Sequence, residues 1–251
     1  MPILQLENVT KKFGGVVALN NVTFQVEKSE VLGVIGPNGS GKTTLINVIS
    51  GVYKPESGKL IYKGTNITRV KPHLRCRMGI ARTYQVVRIF SGLTVLENVM
   101  VGVLNGTKHG KISMEEAMKE AESILSYLGL DKMKNLQAEL LNIQYRKRLE
   151  LARAIGMDPE LLMLDECLAG LTPSEVFEML DVIKRVKEDK DTTIIMVEHL
   201  MHAVMNISDR VIVFNEGKII AEGKPEEIAK DVKVAKVYFG DRELALKFIK
   251  R

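Results

Sequence analysis

The chain has 251 residues, 45% of them hydrophobic and 27% charged. That length and balance fit one folded domain, or at most two, with ample material for a core. Its 36 basic and 31 acidic residues leave a formal charge of +5, too slight for a nucleic-acid binder, so no nucleic-acid partner is expected. No stretch reaches the roughly 18 apolar residues that span a bilayer. The opening MPILQLENVTKKF alternates apolar and polar residues instead of forming a leader's apolar centre, so a cytoplasmic protein is expected.

In chain order, period-two alternation predicts strands at Ile3–Asn8 and Val22–Val26. The apolar run Val31–Ile35 predicts a buried strand, and Lys42–Ser50 a helix stopped by Gly51. Leu60–Lys63 is a further strand, and Pro72–Leu130 is expected to be mostly helical, with Ala117, Ala121, Ile124, Leu125 and Leu128 on one helical face. Strands at Leu161–Leu164, Thr193–Val197 and Val211–Phe214 then alternate with helices at Ser174–Asp189 and His199–Ser208. Such alternation predicts an α/β core with a largely parallel sheet and ligands at the carboxyl ends of its strands. Cys76 and Cys167 belong to no metal-like spacing and are expected as free thiols. Arg75, Arg77, Arg82 and Arg88 are expected on a solvated face or in local ion pairs.

Gly36-Pro37-Asn38-Gly39-Ser40-Gly41-Lys42-Thr43-Thr44 fits G-x-x-x-x-G-K-[ST] between a predicted strand and a predicted helix. Glycines allow the backbone to wrap phosphates with its amides turned inward, and the helix N-terminus adds a favourable field. Lys42 is expected on the β- and γ-phosphates of ATP, with the Thr43 hydroxyl on Mg²⁺. Downstream, Leu161–Leu164 runs into Asp165 and Glu166. A carboxylate at the strand tip suits Mg²⁺, and the next one suits accepting a proton from an attacking water.

With these motifs in this order the sequence resembles the nucleotide-binding domains of ABC transporters over almost its whole length. The matching pieces are GPNGSGKTT, Gln85 in RTYQ, LLMLDE, Ala169-Gly170-Leu171 and His199 after TTIIMVE, with Phe13 near the start. The resemblance implies a P-loop NTPase core with a parallel sheet, an antiparallel β subdomain and a helical insert. It implies that Phe13 stacks on adenine, that Gln85 senses Mg²⁺ and the lytic water, and that His199 contacts the γ-phosphate. Glu166, His199, Gln85 and Lys42 are then the catalytic set of an ATP hydrolase, and Thr43, Gln85 and Asp165 the metal set.

Within the family, KKFGGVVALNNVTF, INVISGVYKPESGKL, ARTYQ, LTVLENVMVG and the tail from Ile220 to Gly240 resemble ATP-binding subunits for branched-chain amino acid uptake. Relatives that import urea or other amides are close to this class. The implied layout is an ATP-binding domain over residues 1–240, a helical insert over about 86–155, and a C-terminal appendage over 220–251. Implied partners are membrane permease subunits, contacted through about Val86–Asn98, and a second ATP-binding subunit in a head-to-tail pair. An extracytoplasmic substrate-binding protein is an indirect partner, and the location is peripheral, at the cytoplasmic face of the membrane. The rival reading is a soluble ABC ATPase; repair members carry long coiled-coil inserts and translation members two fused ATPase domains, neither legible here.

Two departures stand out. The signature loop, usually LSGGQ, falls at Leu141-Asn142-Ile143-Gln144-Tyr145, where the small hydroxyl and both glycines are lost, although Asn142 retains the ability to cap a helix. Cys167 stands where the family usually has proline. The altered signature predicts that, beside a standard second ATPase, only the site using this chain's phosphate loop is complete; the competing reading is that the class tolerates the change.

Overall fold

The first hairpin follows from alternation and a glycine turn. β1 (Pro2–Phe13) and β2 (Val16–Glu27) pair antiparallel across Gly14-Gly15, with Phe13 opposite Val16. Both strands outrun their predicted lengths in the computed structural model, which describes residues 2–239. The reason is a register shift between Leu6 and Val9, with Asn8 at φ 51. Beyond that irregularity the buried positions change phase, so a strict alternation rule stops there.

Next come β3 (Val31–Ile35), α1 (Lys42–Ile49), β4 (Ser57–Tyr62) and β5 (Thr65–Asn66). The middle of the chain holds α2 (Pro72–Arg77), β6 (Ile80–Arg82), α3 (Val95–Asn105) and α4 (Met114–Tyr127). It continues through α5 (Ile143–Gly156), β7 (Leu161–Asp165) and α6 (Pro173–Lys190). Last are β8 (Thr193–Val197), α7 (Met201–Ile207), β9 (Arg210–Asn215), β10 (Lys218–Gly223), α8 (Pro225–Ile228) and α9 (Val232–Phe239). These elements form two units, one from residues 2–70 with 193–239 and the other from Lys71–Thr192.

In the first unit β2, β1, β4 and β5 make the expected antiparallel sheet in that order. β3, buried at every position, runs parallel between β8 and β9, with Val34 opposite both Val197 and Ile212. A strand covered on both faces reads as a continuous apolar run, which is why this one was legible. β10 closes antiparallel on β9. Ile35, Val204, Val211, Val213, Ile228 and Val234 form a buried cluster on which Tyr238 of α9 also packs. The C-terminal helix is therefore docked at the end of β3, where the phosphate loop begins; residues 240–251 of the appendage lie outside the described residues.

In the second unit β6 runs parallel to β7, with Ile80 opposite Leu161 and Arg82 opposite Met163. Pro72–Leu130 is mostly helical as expected, but this strand within it was not expected. A three-residue strand is too short to register as periodicity, and its partner lies about 80 residues on, so only long-range pairing reveals it. α4 buries Ala117, Ala121, Ile124 and Leu125, with Leu128 just beyond it, as the helical face required. α3 and α5 cross closely: a Cβ on Gly102 would lie 2.2 Å from the Arg153 carbonyl oxygen. Any side chain there would force the helices apart. Among the described residues no helix is long and apolar enough to cross a membrane.

Candidate functional site

The phosphate loop leaves β3 at Gly36 and enters α1 at Lys42, as the motif required. Gly36, Gly39 and Gly41 have φ of 154, 77 and 109, values that L side chains rarely adopt. Two of these glycines are also crowded. A Cβ on Gly36 would fall 2.2 Å from the Phe214 carbonyl oxygen, and one on Gly41 2.4 Å from that of Ala18. α1 opens with no side-chain cap and no acid in its first turn, leaving its N-terminal field available to an anion. Lys42 is buried and folds back over the loop, its Nζ donating to the carbonyls of Gly36 (2.8 Å) and Pro37 (2.9 Å). The Ser40 hydroxyl is buried without a hydrogen-bond partner among the described residues, an orphan donor inside a loop shaped for oxyanions. Thr43 is exposed.

His199 belongs to the same unit. Because Val34 and Val197 are parallel partners, Gly36 and His199, each two residues further on, leave adjacent strands at the same end. The predicted helix His199–Ser208 begins later than expected, at Met201. Leu200 has φ −75 and ψ 87, outside the helical region, so exposed His199 sits in the loop before α7. Phe13, at the end of β1, is 42% exposed and meets Tyr53 edge-on with centroids 5.0 Å apart. Tyr53 is an aromatic neighbour that the sequence did not reveal. Lys11 Nζ stands 5.0 Å from the Phe13 centroid and also binds Glu56 at 2.7 Å, which holds the Glu56 carboxyl below its usual range.

Asp165 and Glu166 belong to the second unit. Asp165 ends β7 with 0% exposure, and its carboxylate pairs with Arg82 at 3.2 Å. Its amide donates to the Thr83 hydroxyl at 3.2 Å. Burial pulls the Arg82 guanidinium below its usual range, while Asp165 pulls it back up. Arg82 and Arg88 also flank the Tyr84 ring at 4.4 and 4.9 Å. The four arginines divide: Arg77 and Arg88 are exposed and Arg82 is in a local ion pair, as expected, whereas Arg75 is fully buried, its basicity lowered by burial to about 10. Clustering in sequence said nothing of depth. Cys76 and Cys167 are free thiols as expected.

Gln85 and Glu166, 81 residues apart, meet directly: Gln85 Nε2 donates to Glu166 Oε2 at 2.9 Å. Glu166 has φ 51, a left-handed conformation that non-glycine residues hold only where surroundings impose it, often at functional sites. In the altered signature loop, Leu141 is buried and Asn142 caps α5, its Oδ1 accepting the Tyr145 amide at 3.0 Å. Ile143 is exposed, and Gln144 donates to Glu178 at 3.3 Å.

The pattern of the family described as ABC transporter matches residues 19–169, and that of the branched-chain amino acid ATP-binding cassette transporter matches residues 218–243. The chain belongs to the ABC transporter ATP-binding family. It is 38% identical to the high-affinity branched-chain amino acid transport ATP-binding protein LivG of Escherichia coli K12, covering 96% of this chain and 98% of that protein. A crystal structure of a nucleotide-free ATP-binding cassette from an ABC transporter superposes with a TM-score of 0.87 at 33% identity, covering 96% and 100% of the two chains. A dimeric cassette in a post-hydrolysis state with ADP and phosphate gives 0.80 at 26% identity, covering 88% and 98%. The fold is that of an ABC ATPase cassette, and the chain is an ATP-hydrolysing subunit of an ABC importer.

This cassette carries one carboxylate that motif reading passed over. Glu150 of α5 is buried, accepts the Arg88 amide at 3.1 Å, and lies 3.7 Å from Arg153. It ties the segment after Gln85 to the helix behind the signature loop. Burial raises its pKa from the ordinary 4.5, opposed by the Arg88 and Tyr84 amides, Arg153 and Lys147. The folded state therefore binds this proton more tightly than the unfolded chain, and this group's contribution to stability falls as pH rises above 4.5. Glu150→Gln keeps an acceptor and removes the buried charge. Its Tm is expected to gain on the wild type as pH rises through that window and to match it at lower pH. A Tm difference indifferent to pH in thermal melts would contradict this.

Proposed function

We propose that the chain powers uptake of branched-chain amino acids by hydrolysing ATP, with Glu166 as the base that takes a proton from the attacking water. The observation that carries the catalytic part is the 2.9 Å hydrogen bond from Gln85 to Glu166, next to buried Asp165. In this reading the loop from Gly36 to Thr44 holds the phosphates, Lys42 stabilises charge at the β- and γ-phosphates, and His199 orients the γ-phosphate. Phe13, with Tyr53 beside it, offers a face for adenine. A hydroxyl from Thr43, an amide oxygen from Gln85 and a carboxylate from Asp165 are the hard oxygen donors that suit Mg²⁺. When bound, Mg²⁺ offsets charge on the phosphate oxygens.

The working unit in this reading is a head-to-tail pair with a second ATP-binding subunit at the cytoplasmic face of the membrane. It is joined to permease chains through about Val86–Asn98 and served indirectly by an extracytoplasmic substrate-binding protein. The match at residues 218–243 supports the branched-chain class. Ile143 and Gln144, in place of glycines, support unequal ATP sites, because the bare backbone that closes on a partner's γ-phosphate is lost.

Affinity purification from native membranes, with mass spectrometry of the co-purifying chains, tests this assembly. Two hydrophobic permease chains and a second ATPase with an intact signature are expected. Recovery of soluble partners alone would overturn the transport reading. Uptake of labelled leucine against labelled urea by the reconstituted complex then tests the substrate class.

A further inference from the structure

Lys147 lies in α5, four residues after the helix starts, and is only 6% exposed. A lysine so buried needs its ammonium satisfied by acceptors. Its Nζ donates to two consecutive main-chain carbonyls, those of Glu166 and Cys167, each at 3.1 Å. In extended backbone, consecutive carbonyls point to opposite sides. Here Glu166 is left-handed, at φ 51, and both carbonyls reach one cation. A proline at position 167 would push Glu166 towards extended backbone; Cys167 imposes no such restriction. The side chain of Glu166 is held by Gln85 at 2.9 Å, so the residue is gripped at both its backbone and its carboxylate.

We propose that Lys147 is a positioning residue that holds Glu166 in its left-handed conformation and so aims its carboxylate for hydrolysis. The inference rests on Glu166 being the base. It also gives the helix behind the signature loop a direct grip on the catalytic backbone, since Asn142, five residues earlier, caps that same helix. Movement of α5 is then transmitted to Glu166 through one ammonium group. The grip is electrostatic and directional, so Arg conserves it better than Met or Gln.

The test measures Mg²⁺-ATP hydrolysis by the intact transporter complex carrying Lys147→Met, Lys147→Gln or Lys147→Arg, alone and combined with Glu166→Gln. Binding of a fluorescent ATP analogue and Tm are read in parallel. In Lys147→Met, or in Lys147→Gln should the Met variant not fold, kcat is expected to fall about tenfold to a hundredfold, the cost of a misplaced catalytic group. Affinity for the analogue stays within about twofold, because positioning acts on the reacting state alone. Lys147→Arg restores most of the rate. In the Glu166→Gln background, Lys147→Met causes no further loss, because both changes remove the same contribution. A folded Lys147→Met or Lys147→Gln variant with wild-type kcat, or an additive further loss in the double variant, overturns the inference. Wild-type kcat in Glu166→Gln itself overturns the base assignment and this inference with it.

Discussion

Glu166→Gln in this chain, assembled with a second ATPase of intact signature, is expected to lower ATP hydrolysis by the complex about 100-fold or more while leaving ATP bound. The magnitude is that of removing a positioned general base. Gln is nearly isosteric and still accepts a hydrogen bond from Gln85, whose Nε2 lies 2.9 Å from the carboxylate, so nucleotide affinity has no reason to fall. The large effect follows from asymmetry. If the site completed by residues 141–145 of this chain is impaired, the other site carries most of the turnover, and that is the site using this chain's Glu166. The matching substitution in the partner ATPase should then cost about twofold or less. Steady-state phosphate release from purified complexes decides it. Most activity surviving Glu166→Gln would sink the asymmetric reading; equal losses from the two substitutions would indicate that this class works with its altered signature.

Arg82→Leu carries the largest expected effect on stability. Arg82, with 9% of its side chain exposed, sits 3.2 Å from a carboxylate with no exposure at all. Removing one member of a buried pair costs about 3–5 kcal/mol, because the remaining charge loses its counter-charge without regaining water. In a chain of this size that lowers Tm by on the order of 10 °C. The stacking of Arg82 over Tyr84 at 4.4 Å is lost as well. Since Mg²⁺ is the other cation proposed for Asp165, adding Mg²⁺ with ATP should raise Tm more in the variant than in the wild type. Equal ligand-induced shifts in thermal melts would count against Asp165 as a metal ligand.

Much of the site was legible because its chemistry is local. A loop that must wrap phosphates requires glycine at positive φ, and Gly36, Gly39 and Gly41 adopt it. A fully buried parallel strand reads as an apolar run, as β3 does throughout and β7 does up to the carboxylate of Asp165 at its tip. Three helix starts are legible in the same local way: Thr94 with Glu97, Ser113 with Glu116, and Thr172 with Glu175 each form a reciprocal capping box. His199 was found by motif, yet its helix was begun two residues early, because nothing in its immediate neighbours signals the non-helical Leu200.

By itself, then, the sequence determined the phosphate loop, the order of strands and helices around it, the tip carboxylates Asp165 and Glu166, and the family. The loop and the elements rest on backbone preference and burial, which act within a few residues, and the family rests on the resemblance of the motifs in their order. Only the tertiary structure decided that Arg82 neutralises Asp165, that Tyr53 stands beside Phe13, that Glu150 receives the Arg88 amide, and that Lys147 grips the carbonyls of Glu166 and Cys167. Each of these depends on the direction of a side chain or carbonyl between segments far apart in the chain. No spacing rule encodes such directions, because packing alone sets them.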